Sequence, residues 1–398
     1  MSEYRSNKDD SLDQGCRVRP RYTRNASSAN ICAFQGGVFE TVCNGIRLAW
    51  KTKYCPRGIG FEQRKEIEIL RKLRHRHVIK LVGTYTHGPF LGLLLSPVAV
   101  CDLHTFMEDI DIIRERLRAG EACEIDDTLM MRRLDYICPD TDGGSNLYSA
   151  AVSRLSTCFG CLTGVMTYVH SQRIRHKDVK PSNILLSHDG LWLADFGISS
   201  DFSELSISQS EDIERGTPKY FAPEIALYDT SGRPADIFSL GCIFLELVAL
   251  MRGVPRTELQ KLRPEQDGSF QANLKNRASW YELLKSRNVR IQHLLCEIDP
   301  MISLDPRARP SASRLDRHLS IIAQFGGSRS VPLHGPCCVR ERHLDELDNM
   351  SAEIEYLKLE LQGRDDYIDQ LRRPDQPEIP RPPFGENRLA ATQVHISH

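Results

Sequence analysis

Apolar and polar positions alternate between two periods along this chain, and the change of period divides it. From Ile31 to Leu95 the apolar residues come in short runs of strand character. Ile31–Phe34, Phe39–Cys43 and Ile46–Lys51 read as strands, and Asn44-Gly45 between the last two is a two-residue hairpin signal. A helix is predicted from about Phe61 to Arg74, with Ile67, Leu70 and Leu73 on its apolar side. Val78–Tyr85 and Phe90–Leu95 read as two further strands. After Pro97 the period becomes helical. Leu147, Ala151, Leu155, Cys158, Leu162, Val165 and Val169 recur at spacings of three and four, which predicts one long core-facing helix. Pro234–Met251 is apolar nearly all round and reads as a central buried helix, and its most apolar stretch, Ile237–Met251, reads as too short for a membrane span.

The regions between and beyond these are plainer. Residues 1–30 lack apolar period and read as disordered. Residues 109–146 show no clear apolar period and carry Asp140-Thr-Asp-Gly-Gly-Ser145, so they read as a surface insertion, partly helical. The globular pattern ends near residue 322, and 323–339 reads as a linker. In 340–373, Leu347, Ile354, Leu361 and Ile368 stand at heptad spacing, with Met350, Leu357 and Leu371 in the matching positions. That pattern allows either a short coiled coil, through which copies self-associate, or one amphipathic helix docked on its own domain. Residues 374–398 are proline-rich and read as a disordered tail.

Composition narrows the partners. Lys and Arg (52) nearly balance Asp and Glu (53), a net charge of −1, which gives no bulk attraction to nucleic acid or to anionic lipid. The first ten residues carry no apolar signal segment, so the expected location is intracellular, cytoplasmic or nuclear, and the 13 cysteines are expected to be reduced. Cys158–Cys161 form a CxxC without a second ligand pair, so the cysteines read as ordinary core or surface residues.

The chemistry lies in an ordered set of short motifs. Leu48-Ala-Trp-Lys51 precedes the helix carrying Glu66. His176-Lys-Asp-Val-Lys-Pro-Ser-Asn183, Asp195-Phe-Gly197, Gly216-Thr-Pro-Lys-Tyr-Phe-Ala-Pro-Glu224, Asp236 and Asp305-Pro-Arg-Ala-Arg309 follow in that order. This succession resembles the eukaryotic protein kinases of the serine/threonine type. The resemblance covers residues 31–322 and implies an α+β fold of two lobes. A small antiparallel-sheet lobe with one helix would span 31–96, and a large, mostly helical lobe 97–322.

The resemblance also implies a reaction and its groups. ATP and Mg²⁺ would be the cofactors, and serine or threonine hydroxyls of proteins the acceptors. Asp178 would act as base, Lys180 would steady the migrating phosphate, and Thr217 would shape the acceptor site. Lys51, paired with Glu66, would contact the α/β-phosphates. Asn183 and Asp195 would hold Mg²⁺, since hard cations prefer oxygen ligands. Gly37, Val42, Ala49, Leu95, Ser96, Val98 and Leu185 would surround the nucleotide, with Leu95–Val98 as the hinge. Glu224 and Arg309 are expected to pair, and Asp236 to tether the catalytic loop.

Two departures favour an alternative, a pseudokinase that binds nucleotide or serves as a scaffold. Of the glycines expected over the phosphates only Gly37 is kept, with Glu40 in place of the last, which adds a negative charge there. Lys177 replaces the arginine that would fork onto a phosphorylated activation loop; a phosphorylated Ser206, Ser208 or Ser210, or the acidic Glu211, Asp212 and Glu214, could supply its counter-charge.

Overall fold

The computed structural model describes residues 37–120, 128–138, 147–201, 218–227, 232–324 and 332–338. The expectations for 1–30, the strand 31–34, the activation-segment serines with Thr217, the helix of 340–373 and the tail lie outside the described residues.

Four antiparallel strands build the small lobe: β1 (Val38–Cys43), β2 (Ile46–Tyr54), β3 (Lys80–His87) and β4 (Phe90–Ser96), in the order β1-β2-β4-β3. The hairpin at Asn44-Gly45 has both residues at positive φ (50° and 79°), the conformation its two-residue turn requires. Ala49 lies opposite both Glu40 and Leu95, and Lys51 opposite Val38 and Leu93. Directly opposed residues share a face, and so do residues two apart. Val42, Ala49, Lys51, Lys53 and Leu95 therefore stand on one side of the sheet. Helix α1 (Phe61–Lys72) buries Glu66, Ile69 and Leu70. β2 runs to Tyr54 rather than stopping at Lys51, because β4 pairs with it as far as Phe90.

The large lobe begins with β5 (Cys101–Asp102) and α2 (Leu103–Ala119), followed by α3 (Thr128–Ile137). These helices correct the reading of 109–146 as an insertion from its first residue. Asp102 caps α2 through the Thr105 amide, Gly120 ends it at a left-handed φ of 71°, and Phe106, Met107, Ile110 and Ile113 are buried. The apolar stripe was masked by buried charges. Asp109 accepts two bonds from Arg133 of α3 (2.6 and 3.0 Å), and Arg114 pairs with Asp111 at 2.8 Å.

The predicted helix of 147–169 is two, α4 (Leu147–Ser156) and α5 (Cys158–Ser171). At the break, the Thr157 hydroxyl donates to the Arg154 carbonyl and accepts from the Arg154 guanidinium, both at 2.7 Å. Side chains that bond their own backbone in this way compete with helix propagation.

The strands β6 (Ile174–Arg175), β7 (Ile184–Ser187), β8 (Gly190–Leu193) and β9 (Ser200–Asp201) come next, then α6 (Pro223–Ala226) and α7 (Arg233–Met251). Helices α8 (Arg256–Lys261), α9 (Arg277–Leu284), α10 (Val289–Met301) and α11 (Ala312–Gln324) complete the lobe. Among the described residues α7 alone is long and apolar enough to cross a membrane, but 83% of its apolar window is buried inside the domain. Its Phe238, Phe244, Leu245 and Leu247 are fully inside, each worth roughly 1.5–3 kcal/mol of burial.

The reading of 323–339 as a linker also needs correction. Residues 332–338 pack on the domain: Leu333 is fully buried, and its carbonyl accepts from the Gly160 amide at 2.8 Å. A Cβ at position 160 would collide with the His334 ring, so glycine there admits the segment.

Candidate active site

The lysine on β2 and the glutamate on α1 meet because both elements turn them to the same side. Lys51 Nζ lies 3.3 Å from Glu66 Oε1 and 2.7 Å from Asp195 Oδ1. Burial alone would lower the Lys51 pKa, but the two carboxylates outweigh it and the net shift is upward. Burial would raise Asp195, and Lys51, Lys53 and His176 outweigh that, so its carboxyl is held below the usual range. Asp195 sits at φ 63°, a left-handed backbone that a non-glycine residue adopts only where its surroundings enforce it. Phe196 supplies part of that enforcement: it is fully buried, with its ring edge-on to His176 at 4.7 Å.

Lys53 was not anticipated. It stands two residues after Lys51, hence on the same face, and its ammonium also pairs with Glu66. Strand parity was the available signal, since an amine at either position points toward α1.

The catalytic loop is held from below. Asp236, at the start of α7 and wholly buried, accepts the His176 amide at 3.0 Å, the Lys177 amide at 2.9 Å and the His170 ring at 2.9 Å. Burial would raise its pKa; the His170 hydrogen bond and charge, His176 and the loop amide bring it below the ordinary value. The tether by Asp236 was expected; His170, one residue before the end of α5, was not. His176 in turn reaches the Ala194 carbonyl at 3.0 Å, joining the loop to the residue before Asp195.

On this support Asp178, Lys180 and Asn183 converge. Lys180 Nζ lies 2.6 Å from Asp178 Oδ2, and the Asn183 amide donates to the Asp178 carbonyl and carboxylate at 2.9 and 3.0 Å. With its nitrogen engaged there, the Asn183 oxygen is the atom that could take a metal ion. That oxygen and the Asp195 carboxylate, whose side chain is 44% exposed, make a hard donor set that fits Mg²⁺. Gly197 keeps the place open: a Cβ would press on Asp195 Oδ1 at 3.3 Å and Lys53 Nζ at 3.4 Å.

For the nucleotide, the sheet register puts Val42, Ala49 and Leu95 on the Lys51 face. Leu185 lies on β7, which pairs with β5 just after Ser96 and Val98. Gly37 is fastened to β2 by its amide to the Thr52 hydroxyl, 3.1 Å, and by Thr52's amide to its carbonyl, 2.9 Å. Glu40 does not stand as a lone charge. Arg47, across the hairpin, donates to both of its oxygens at 2.6 and 3.1 Å.

Past the activation segment, Arg309 forks onto Glu224 at 2.6 and 2.8 Å, both side chains being buried. Glu246 inside α7 accepts from Tyr220 at 2.8 Å and pairs with Lys219 at 2.7 Å.

Residues 51–320 match the protein kinase domain. The chain belongs to the protein kinase domain family. It is 25% identical to mitogen-activated protein kinase kinase kinase A of Dictyostelium discoideum over 261 residues, 64% of this chain and 22% of that protein. It is 24% identical to the serine/threonine-protein kinase PLK4 of Drosophila grimshawi over 303 residues, 75% of this chain and 33% of that protein. Against the serine/threonine-protein kinase crk1 of Schizosaccharomyces pombe the identity is 29% over 195 residues, 48% and 46% of the two chains. The chain thus spans from about a fifth to under half of these relatives' lengths.

Proposed function

We propose that the chain is an ATP-dependent protein serine/threonine kinase. The observation that carries the reading is the Lys51 ammonium held between Glu66 and Asp195, beside a catalytic loop in which Lys180 and Asn183 both engage Asp178. Lys51 orients the α/β-phosphates, and Val42, Ala49, Leu95 and Leu185 enclose the adenine against the Ser96–Val98 hinge. Asn183 and Asp195 hold Mg²⁺, which when bound neutralises the phosphate charge. Asp178 accepts the hydrogen bond of the acceptor hydroxyl, aligns its oxygen and receives its proton as transfer proceeds. Lys180, already on Asp178, offers its positive charge to the phosphoryl group in transit. Positioning and electrostatics supply the rate, so an intact set of charges matters more than any single one. The serine/threonine kinases among the relatives and the lysine two residues after Asp178 support that acceptor class.

The test is a phosphoryl-transfer assay with Mg·ATP and a mixed peptide library, comparing the chain with Asp178→Asn. Loss of most transfer in the variant, with its thermal melt unchanged, is the expected result. Equal and negligible transfer by both would favour the pseudokinase, the reading to which Lys177 and the reduced glycine loop lend support. For residues 340–373 we propose self-association through the heptad positions, to be read as a fall in hydrodynamic size when that segment is deleted.

A further inference from the structure

Away from the ATP site, four soft donors from three distant stretches of chain come together. They are His77 in the loop between α1 and β3, Cys161 on α5, and the adjacent Cys337 and Cys338 of the segment that packs after α11. Their donor atoms all lie within 4.8 Å of one another. Cys161 Sγ is 3.8 Å from Cys337 Sγ and 3.6 Å from Cys338 Sγ, and His77 Nε2 is 3.5 and 3.0 Å from the same two sulfurs. A tetrahedral zinc with Zn–S of about 2.3 Å and Zn–N of about 2.0 Å sets its sulfurs ~3.8 Å apart and its nitrogen ~3.5 Å from each. The observed separations cluster around those values.

The surroundings are those of a ligand set. His77 is buried, and its Nδ1–H donates to the Leu191 carbonyl at 2.8 Å, which turns the Nε2 lone pair toward the sulfurs. A second bond of this kind is what fixes a metal-binding imidazole in its ligating tautomer. The Gly335 amide donates to Cys161 Sγ at 3.3 Å, which fixes the sulfur's position beside the segment. The Cys338 amide closes a turn onto the Gly335 carbonyl at 2.9 Å, presenting both adjacent thiols to one side. Arg76 donates to the Cys337 carbonyl. Cys158 takes no part, its sulfur lying on the Arg154 carbonyl at the end of α4; the CxxC spacing is therefore incidental, and the informative signal was the Cys337-Cys338 pair.

We propose that His77, Cys161, Cys337 and Cys338 form a structural Zn²⁺ site that fastens residues 332–338 to α5 and to the loop after α1. Three thiolates and one imidazole favour zinc over the oxygen-seeking Mg²⁺ of the cleft. Four protein ligands leave no open position, so the ion is structural rather than catalytic. Only Leu333 of the segment is an apolar side chain wholly removed from solvent, so burial alone explains its docking poorly. The site also lies close to the reacting groups along the chain. His77 follows the helix of Glu66, and its Leu191 partner is on the strand that leads to Asp195.

The test uses the full chain, purified without chelator, with metal content measured by mass spectrometry after exhaustive dialysis. About one zinc per chain is expected, as in a closed four-ligand site. It should fall to background in Cys337→Ser/Cys338→Ser and persist in Cys296→Ser, an exposed cysteine outside the cluster. Should the double variant fail to fold, the wild-type chain exchanged into Co²⁺ decides. Thiolate-to-cobalt charge transfer with intense tetrahedral bands in the visible supports the site. Overturning results are a zinc-loaded wild-type chain that keeps no more metal than the double variant, the absence of those cobalt bands, or a disulfide linking Cys161 to Cys337 or Cys338 in the native protein.

Discussion

Lys51 Nζ and Asp195 Oδ1 lie 2.7 Å apart although the two residues are separated by 144 positions in sequence. That contact joins the small-lobe sheet to the strand β8 and its following turn, and Glu66 completes it from α1. Lys53 shares Glu66, so the two lysines are expected to differ in consequence. Lys51→Met should lower kcat on the order of 10²-fold or more, as for loss of a charge that stabilises the transition state. Lys53→Met should cost roughly tenfold or less, acting through the position of Glu66. Steady-state kinetics of both variants, with ATP varied, checks the ordering; equal losses would make Lys53 a partner in phosphate binding.

The hairpin pair Glu40–Arg47 makes a second prediction. If Arg47 offsets the charge of Glu40 near the nucleotide, Arg47→Ala should raise the KM for ATP several-fold, and Glu40→Gly/Arg47→Ala should restore it. Glu40→Gly alone should change KM little, because the charge it removes is already matched. A double-mutant cycle on KM isolates the coupling.

Asp236 gives the pH dependence. Its folded pKa lies below the unfolded value of about 3.9. Its contribution to stability is therefore present above that value and lost as pH falls through the folded pKa. Asp236→Asn should destabilise the domain at neutral pH by on the order of 3 kcal/mol, since buried donors lose a charged acceptor. It should also flatten the acid limb of a stability-versus-pH curve. Urea midpoints followed from about pH 7 downward, through the unfolded value of about 3.9 and below it, measure both effects.

Arg309→Lys tests the buried fork on Glu224. Lysine keeps the charge but cannot place two parallel donors on the carboxylate. A loss of roughly 1–3 kcal/mol in unfolding free energy is expected, with transfer by the folded fraction retained. An unchanged urea midpoint would show that one bond suffices.

The motif residues were legible in the sequence because each is a fixed type at a position set by order along the chain. Asp178, Asn183, Asp195 and Asp236 needed only their loop and helix to be brought together. Strand alternation and the hairpin turn likewise announced the sheet. What stayed hidden depended on side chains whose partners come from elsewhere. Helix α2 was obscured because Asp109 and Arg114 interrupt its apolar stripe, and their pairing with Arg133 and Asp111 makes that burial tolerable. The break at Thr157 rests on a local hydroxyl bond that periodicity does not register. Lys53 and His170 gain meaning from the acid each one meets. Cys337 and Cys338 stand in a stretch without apolar period, and nothing in that stretch names α5 as its destination.

Gly160 carries a practical consequence. The family match ends at residue 320, and a chain cut there would lose Leu333 and His334 from the surface of α5. The bare glycine and the apolar side chains beside it would then face water, inviting aggregation and slower, less complete folding. Expression of the isolated catalytic portion should extend past Cys338, some way beyond where sequence similarity places its border.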